Sequence, residues 1–370
     1  MSLSRRVVSR VPSPRAVLRT VGARSDRGRP HWAARLEDAK NVTVGSALRR
    51  LGWDLRLQPF HGYGTSGRVR VLAKVLYASP GTPADFHDQP VHDMRTMAVR
   101  GWRNFAGQVA PNRTVHVLIG DRQFRVRADR TGIVDAEFDV ALEPGTHRAV
   151  LWTVPGNEVT ADITVFSPEA RVGLVSDIDD TVMVTWLPRP LLAFWNAFVV
   201  HQSTRQVVPG MPMLYQRIAR RHPSLPVVYL STGAWNVFPV LKRFLYKNGY
   251  PDGPLLLTDW GPTNTGLFRS GRDHKVQALE RLAESFPHMR WILVGDDGQH
   301  DPSIYASFSA RRPELVEAIA IRRLTESEQL LAHGSLRPLE QYRHAGEAPL
   351  TVQAPDGHGL LAELDRHGVL

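Results

Sequence analysis

An α/β unit with a parallel sheet, preceded by an all-β sandwich-like unit, is the fold predicted for this 370-residue chain. Three observations carry that expectation. Up to about Pro168, apolar and polar residues alternate in short runs broken by turn residues, as in antiparallel sheets. After Glu169, short apolar strands alternate with helix-length amphipathic stretches. Two of those strands end in runs of aspartate. The spacing divides the chain into a basic arm (1–40), a β-unit (41–168), an α/β unit (169–325) and a C-terminal extension (326–370) with no legible pattern.

The arm comes first. Met1–Pro30 holds eight arginines against one acid, Asp26, so most of the net charge of +10 sits there and the rest is nearly balanced. A nucleic-acid-binding face needs its surplus on the folded body, so nucleic acid is a disfavoured partner. The arm has no apolar run of seven or more residues, and Pro12 and Pro14 interrupt any amphipathic helix. We read it as a disordered, solvated segment, with attachment to an anionic surface as the sharper alternative. The most apolar long stretch, Leu191–Val200, includes Asn196 and falls short of the ~20 residues a membrane helix needs. No transmembrane segment is expected, and the location expected is cytoplasmic, with the membrane periphery as a second site.

In the β-unit, strands are predicted at Arg68–Tyr77, Thr114–Ile119, Gln123–Ala128, Val134–Leu142, His147–Val154 and Val159–Phe166. Turns fall at Gly120-Asp121, Asp129–Gly132, Pro144-Gly145 and Pro155-Gly156. Met94, Met97, Ala98, Trp102 and Phe105 share one face of a helix inserted at His92–Phe105. The run Gln58–Thr65 (Q-P-F-H-G-Y-G-T) reads as turn chemistry at its glycines. In the α/β unit, strands are predicted at Arg171–Ser176, Pro226–Leu230, Pro254–Leu257 and Arg290–Val294. Helices are predicted at Met211–Arg221, Val237–Lys247 and Lys275–Ser285.

The chemistry concentrates at two strand ends. V-G-L-V-S-D-I-D-D-T places Asp177, Asp179, Asp180 and Thr181 after one strand, and V-G-D-D-G-Q-H-D places Asp296, Asp297 and Asp301 after another. Ligands of open α/β sheets sit at the carboxyl ends of strands. Carboxylates so close repel unless a cation or a shared proton relieves them. With no cysteine in the chain, thiolate sites and disulfides are excluded, and an all-oxygen donor set suits Mg²⁺. His274 and His300 flank the runs but offer no zinc spacing. Ser231 ends an intervening strand. Lys275 is one of only five lysines in a chain with 41 arginines, which suggests a need for a compact point charge. Any one of these aspartates reads equally well as a helix cap; the ordered set does not.

In this order and spacing, Asp177-x-Asp179-x-Thr181, Ser231, Lys275 and Gly295-Asp296…Asp301 resemble the four motifs of the haloacid dehalogenase superfamily of phosphohydrolases. The resemblance covers about residues 169–323 and implies a Rossmann-like catalytic domain. A narrower set is similar to the actin patch protein family of phosphatidate phosphatases and its bacterial members. It comprises S-D-I-D-D-T, Trp235-Asn236, His274-Lys275, L-V-G-D-D-G-Q-H-D-P-x-I-Y and the upstream Q-P-F-H-G-Y-G-T. Thr232-Gly233-Ala234 departs from the serine- or proline-containing turn that family implies.

The resemblance implies a Mg²⁺-dependent phosphomonoester hydrolase, with phosphatidate or a related lipid phosphate at a membrane surface as leading substrate. It implies Asp177 as nucleophile and Asp179 as general acid and base. Ser231 and Lys275 would bind phosphoryl oxygens. The metal would sit on Asp177, Asp296 and the Asp179 backbone carbonyl. Asp301, Thr181, Asp180 and Asp297 would act in support. The competing readings are a phosphatase for nucleic-acid ends or phosphoprotein, and a non-catalytic scaffold binding anionic lipid or nucleic acid. Little chain separates the motifs, so the cap is expected to be minimal. The excursion Trp186–Val200, with Trp186 and Trp195, reads as a flap packed on the core, with a lip for the substrate as the sharper alternative, to which Arg269 and Arg272 would add positive potential. The β-unit is expected to recruit the catalytic domain to a partner or membrane.

Overall fold

The computed structural model describes residues 20–22, 43–79, 108–184, 206–258, 271–298, 300–333 and 349–370. The helix expected at 92–105 and the excursion 186–200 lie outside these residues. After a helix over 43–50, the described residues of the first half form strands joined by turns. Nine strands form one sheet: β1 (Thr20–Gly22), β2 (Asp54–Gly64), β3 (Arg68–Ala78), β4 (Gln108–Val109), β5 (Thr114–Ile119), β6 (Arg122–Arg127), β7 (Ile133–Asp139), β8 (Gly145–Trp152) and β9 (Val159–Val165). Their order is β1-β6-β5-β8-β9-β2-β3-β4, with β7 also on β3. Thr20–Gly22, inside the segment read as a solvated arm, pairs in parallel with β6.

Strands β5 and β6 bury alternate residues, which is the period-two pattern legible in the sequence. Two expectations change around β2. The pattern suggests two stacked sheets, but β2 pairs with β3 on one side and β9 on the other, which links all nine strands into one sheet. Register shifts between Phe60 and Tyr63, and Gly62–Gly64 then run parallel to Ile163–Val165. Such irregularities let one strand serve two groups of strands. The second change concerns the glycines. Gly62 and Gly64 lie within the strand, and the turn is Thr65–Arg68. A Cβ on Gly62 would stand 2.3 Å from the Arg70 carbonyl oxygen, and one on Gly64 2.2 Å from that of Arg68. These positions are glycine because the backbones approach so closely.

The second half is a mixed α/β unit. Its strands are β10 (Val172–Ser176), β13 (Val227–Ala234), β14 (Leu255–Thr258), β15 (Arg290–Asp296), β16 (Val316–Arg322) and β17 (Leu350–Ala354). A two-stranded ribbon, β11 (Met183–Val184) with β12 (Gln206–Val207), brackets the undescribed stretch between them. The helices are α1 (Met211–Arg221), α2 (Phe238–Lys247), α3 (Gly271–Ser285), α4 (Asp301–Arg311), α5 (Glu326–His333) and α6 (Gly357–Arg366). In α1 the buried residues Met211, Leu214, Tyr215 and Ile218 recur at helical spacing.

The six strands run β14-β13-β10-β15-β16-β17, every neighbour parallel. Numbered by appearance this is 3-2-1-4-5-6, the order of open, doubly wound sheets. The chain reverses direction of growth between β10 and β15, so a crevice opens at their carboxyl ends. The stretch beyond Thr325, where the sequence shows no pattern, supplies the edge strand β17 and the helix α6.

Two buried cores result. Val69, Val71, Val75, Val117, Phe124 and Phe138 fill one face of the first sheet. Phe60, Tyr63, Leu72, Ile133 and Phe166 point the other way and join the core of the second sheet. The two sheets therefore share apolar packing.

Candidate active site

Asp177 is the first residue after β10, and its amide donates to the Val294 carbonyl of β15 at 2.9 Å. That bond fixes the residue at the sheet's reversal point. Lys275 projects from the first turns of α3 and donates to Asp177 Oδ1 at 2.8 Å and to Asp301 Oδ1 at 2.6 Å. Asp301 opens α4, and Asp296 closes β15. Ser231 Oγ, on β13, donates to Asp179 Oδ2 at 3.0 Å and accepts from the Gly233 amide at 2.9 Å. Thr181 Oγ1 stands 3.4 Å from Asp177 Oδ2, inside the turn rather than facing outward. Four separated stretches of sequence thus meet at the ends of three adjacent strands.

Almost nothing here touches solvent: Asp177, Asp296, Asp301, Ser231 and Lys275 are each at most 1% exposed, and Asp179 is 7% exposed. Burial sets the electrostatics. It pushes the Asp177 carboxyl up, with the neighbouring Asp179 adding to the rise and Lys275 opposing it. Asp296 is driven well above the usual carboxylate range by burial and by the charges of Asp301, Asp177 and Asp180. Asp301 is pushed up to about 6, chiefly by burial, although Lys275 works against the shift. For Lys275, burial favours the neutral amine, but Asp177 and Asp301 outweigh it and hold the ammonium charged. Among the described residues one cation, Lys275, faces several buried acids, which leaves an excess of acidic groups.

That excess fits a divalent cation. Oxygens of Asp177, Asp296 and Asp301 lie within 4.8 Å of one another. Asp296 Oδ1 accepts from the Gly298 amide at 2.7 Å, while its buried Oδ2 and that of Asp301 have no hydrogen-bond partner among the described residues. Orphaned carboxylate oxygens are costly to bury. The set is hard and all-oxygen, which suits magnesium.

The remaining residues singled out from sequence divide. Asp180 adopts a left-handed backbone (φ 56°), and its carbonyl accepts from Arg322 Nη1 at 2.8 Å. Asp297 Oδ1 accepts from the Leu324 amide at 2.8 Å, and its own amide donates to the Arg322 carbonyl, so it braces the β15–α4 loop against the end of β16. Arg272 is exposed; Trp186, Trp195 and Arg269 lie outside the described residues. His274 is half-buried with Nε2 near the Leu256 carbonyl, His300 is exposed, and neither joins the acidic group.

Sequence reasoning misses the residues behind the site. Ser176 Oγ donates to the Asp177 carbonyl at 2.6 Å and shares a short hydrogen bond with the Tyr215 hydroxyl. Arg322, 4% exposed, also binds the Pro355 carbonyl at 3.2 Å and Glu328 Oε1 at 2.7 Å. The available signal is one arginine closing the apolar run A-I-A-I of the strand V-E-A-I-A-I-R, beside the acidic strand end.

Residues 172–323 match the family model described as the catalytic domain of phosphatidate phosphatase APP1. Over 152 residues the chain is similar to phosphatidate phosphatase APP1 of Saccharomyces cerevisiae, with 29% identity over 41% of this chain and 26% of the yeast protein. It is also similar to an uncharacterized protein of Schizosaccharomyces pombe, with 23% identity over 41% of this chain and 25% of the other. The matched stretch thus spans about a quarter of these curated relatives' length. Among solved structures, the HAD domain of the Legionella pneumophila effector Lem4 aligns at 16% identity over 42% of this chain and 88% of that one, with a TM-score of 0.28.

Proposed function

We propose that this chain is a magnesium-dependent phosphomonoesterase of the haloacid dehalogenase type, acting through an aspartyl-phosphate on phosphatidate or a related lipid phosphate. The observation that carries the reading is the convergence of Asp177, Asp179, Ser231, Lys275 and Asp296 at the reversal point of the sheet. The likeness of residues 172–323 to the APP1 catalytic domain supports a lipid phosphate over other esters. No helix among the described residues is long and apolar enough to cross a membrane. A lipid substrate would be met at a membrane surface.

The roles follow from the positions. Asp177 attacks phosphorus; the bond to the ester oxygen breaks, and that oxygen leaves with the electron pair and takes a proton from Asp179. A water then attacks the aspartyl-phosphate, gives its proton to Asp179 and releases phosphate, which restores both carboxyls. Ser231 and Lys275 bear on the phosphoryl oxygens, and Lys275 favours the ionised form of Asp177 against the effect of burial. Asp177 and Asp296 with the Asp179 carbonyl, and Asp301 alongside, would hold Mg²⁺, which when bound supplies positive charge against the phosphoryl group.

Phosphate release from phosphatidate in mixed micelles, compared with soluble phosphoesters, tests the reading. Release should need Mg²⁺ and fall by about three orders of magnitude or more in Asp177→Asn. Equal turnover of every soluble ester would reject a lipid substrate, and an inactive wild type would reject the enzyme.

A further inference from the structure

The strand F-H-G-Y-G at Phe60–Gly64 is buried and far from the acids in sequence, and no catalytic role uses it. We infer that Phe60 is a positioning residue for the phosphate-binding Ser231, acting through Trp235; the inference rests on the phosphatase reading only for its catalytic consequence.

Ser231 lies in the least supported part of its strand. The register of β13 with β10 ends at Tyr229, and its register with β14 passes from Leu230 directly to Ala234. Residues 231–233 thus lie beyond the last ladder position on the β10 side and between two ladder positions on the β14 side. The short turn Trp235–Val237 comes next along the chain, then α2. There the first sheet intervenes. The Phe60 ring stacks on Trp235 at 4.2 Å between centroids and meets Phe238 edge-on at 4.8 Å. Phe60 is 1% exposed and Trp235 6% exposed, so both rings are enclosed. Stacked aromatic pairs hold geometry as well as bury area.

The same strand also reaches the helix that carries Lys275. Tyr63 packs against Phe286, just after α3, and accepts from Arg70 Nη1 at 2.7 Å. Arg70 and Arg281 of α3 both bind Asp135. One strand of the first sheet therefore backs both phosphate-contacting segments. A tethered recruitment module would not need such contacts; a brace would.

The test compares Phe60→Leu with Phe138→Leu in the full chain. Phe138 is equally buried, but in the other core. Both variants should lose similar stability. Only Phe60→Leu should speed amide exchange at residues 231–238, by about tenfold, while β10 and β15 stay protected. Only it should lower kcat on p-nitrophenyl phosphate with Mg²⁺, by about 10- to 100-fold. Combined with Ser231→Ala, it should cost at most about twofold more than Ser231→Ala alone, because coupled residues are not additive. Multiplying losses, or unchanged exchange at 231–238, would overturn the inference. If Phe60→Leu does not fold, Trp235→Phe approaches the same contact from the other side, with the same two criteria. A wild type that hydrolyses no ester would refute the phosphatase reading alone, and the exchange comparison would still decide the brace.

Discussion

Lys275 offsets part of the site's negative charge, and its substitution should cost both stability and chemistry. Lys275→Met leaves Asp177 and Asp301 buried without their cation, and breaking such a pair costs about 3–5 kcal/mol. Urea melts should show that loss, and phosphate release should vanish. The acids also give the molecule a pH signature. Asp301 titrates near 6 in the folded chain against an ordinary 3.8, so the folded state binds this proton more tightly than the unfolded one. The associated stability is present below pH 4 and is lost as pH rises through 6. A divalent cation favours the ionised form and should cancel that loss. Thermal melts with Mg²⁺ and with a chelator should therefore diverge increasingly from pH 4 to 7, and Asp296→Asn should shrink the divergence.

At this scale, strand-end acids are legible because an apolar run followed by carboxylates states both where the residues lie and what they need. Phe60 and Arg322 are illegible because their meaning depends on partners far along the chain, Trp235 for one and Asp180 for the other.

Among the elements, those with clear periodicity stand where the spacing puts them: α1 at Met211–Arg221 and β5 at Thr114–Ile119 match the sequence reading at both ends. Strand β2 is hidden because its glycines and Pro59 signal a turn, whereas the close approach of β3 is what selects the glycines. Strand β17 and α6 are hidden because an edge strand and its covering helix need only one apolar face. Their attachment to the site is Arg322, which ties the left-handed turn at Asp180 to Pro355 and Glu328. Arg322→Met should cost about 1–3 kcal/mol in denaturant melts, the scale of lost charged hydrogen bonds. It should also lower kcat more than it raises KM, since the turn it releases carries Asp179.

For the molecule as a whole, shared packing between the sheets argues against independent folding units. Phe60, Tyr63 and Phe166 belong to the second sheet's core, and Asp135 is held by Arg70 from its own sheet and Arg281 from α3. Burial alone would raise the Asp135 carboxyl, but the two guanidiniums outweigh it and hold it well below the usual range. Its contribution is present above that range and is lost as pH falls through and below it. Calorimetry should show one cooperative transition for both halves at neutral pH. Arg70→Met should lower its midpoint or split it in two.

The bonds from Arg322 to Pro355 and Glu328 also bear on biosynthesis. During translation the strand that ends at Ser176 emerges first, while the segment that clamps the turn at Asp180 leaves the ribosome some 175 residues later, counting from Asp180 to Pro355. A nascent chain that has exposed that strand but not Pro355 would hold its acids without that clamp, so the turn at Asp180 should settle only after Pro355 has emerged.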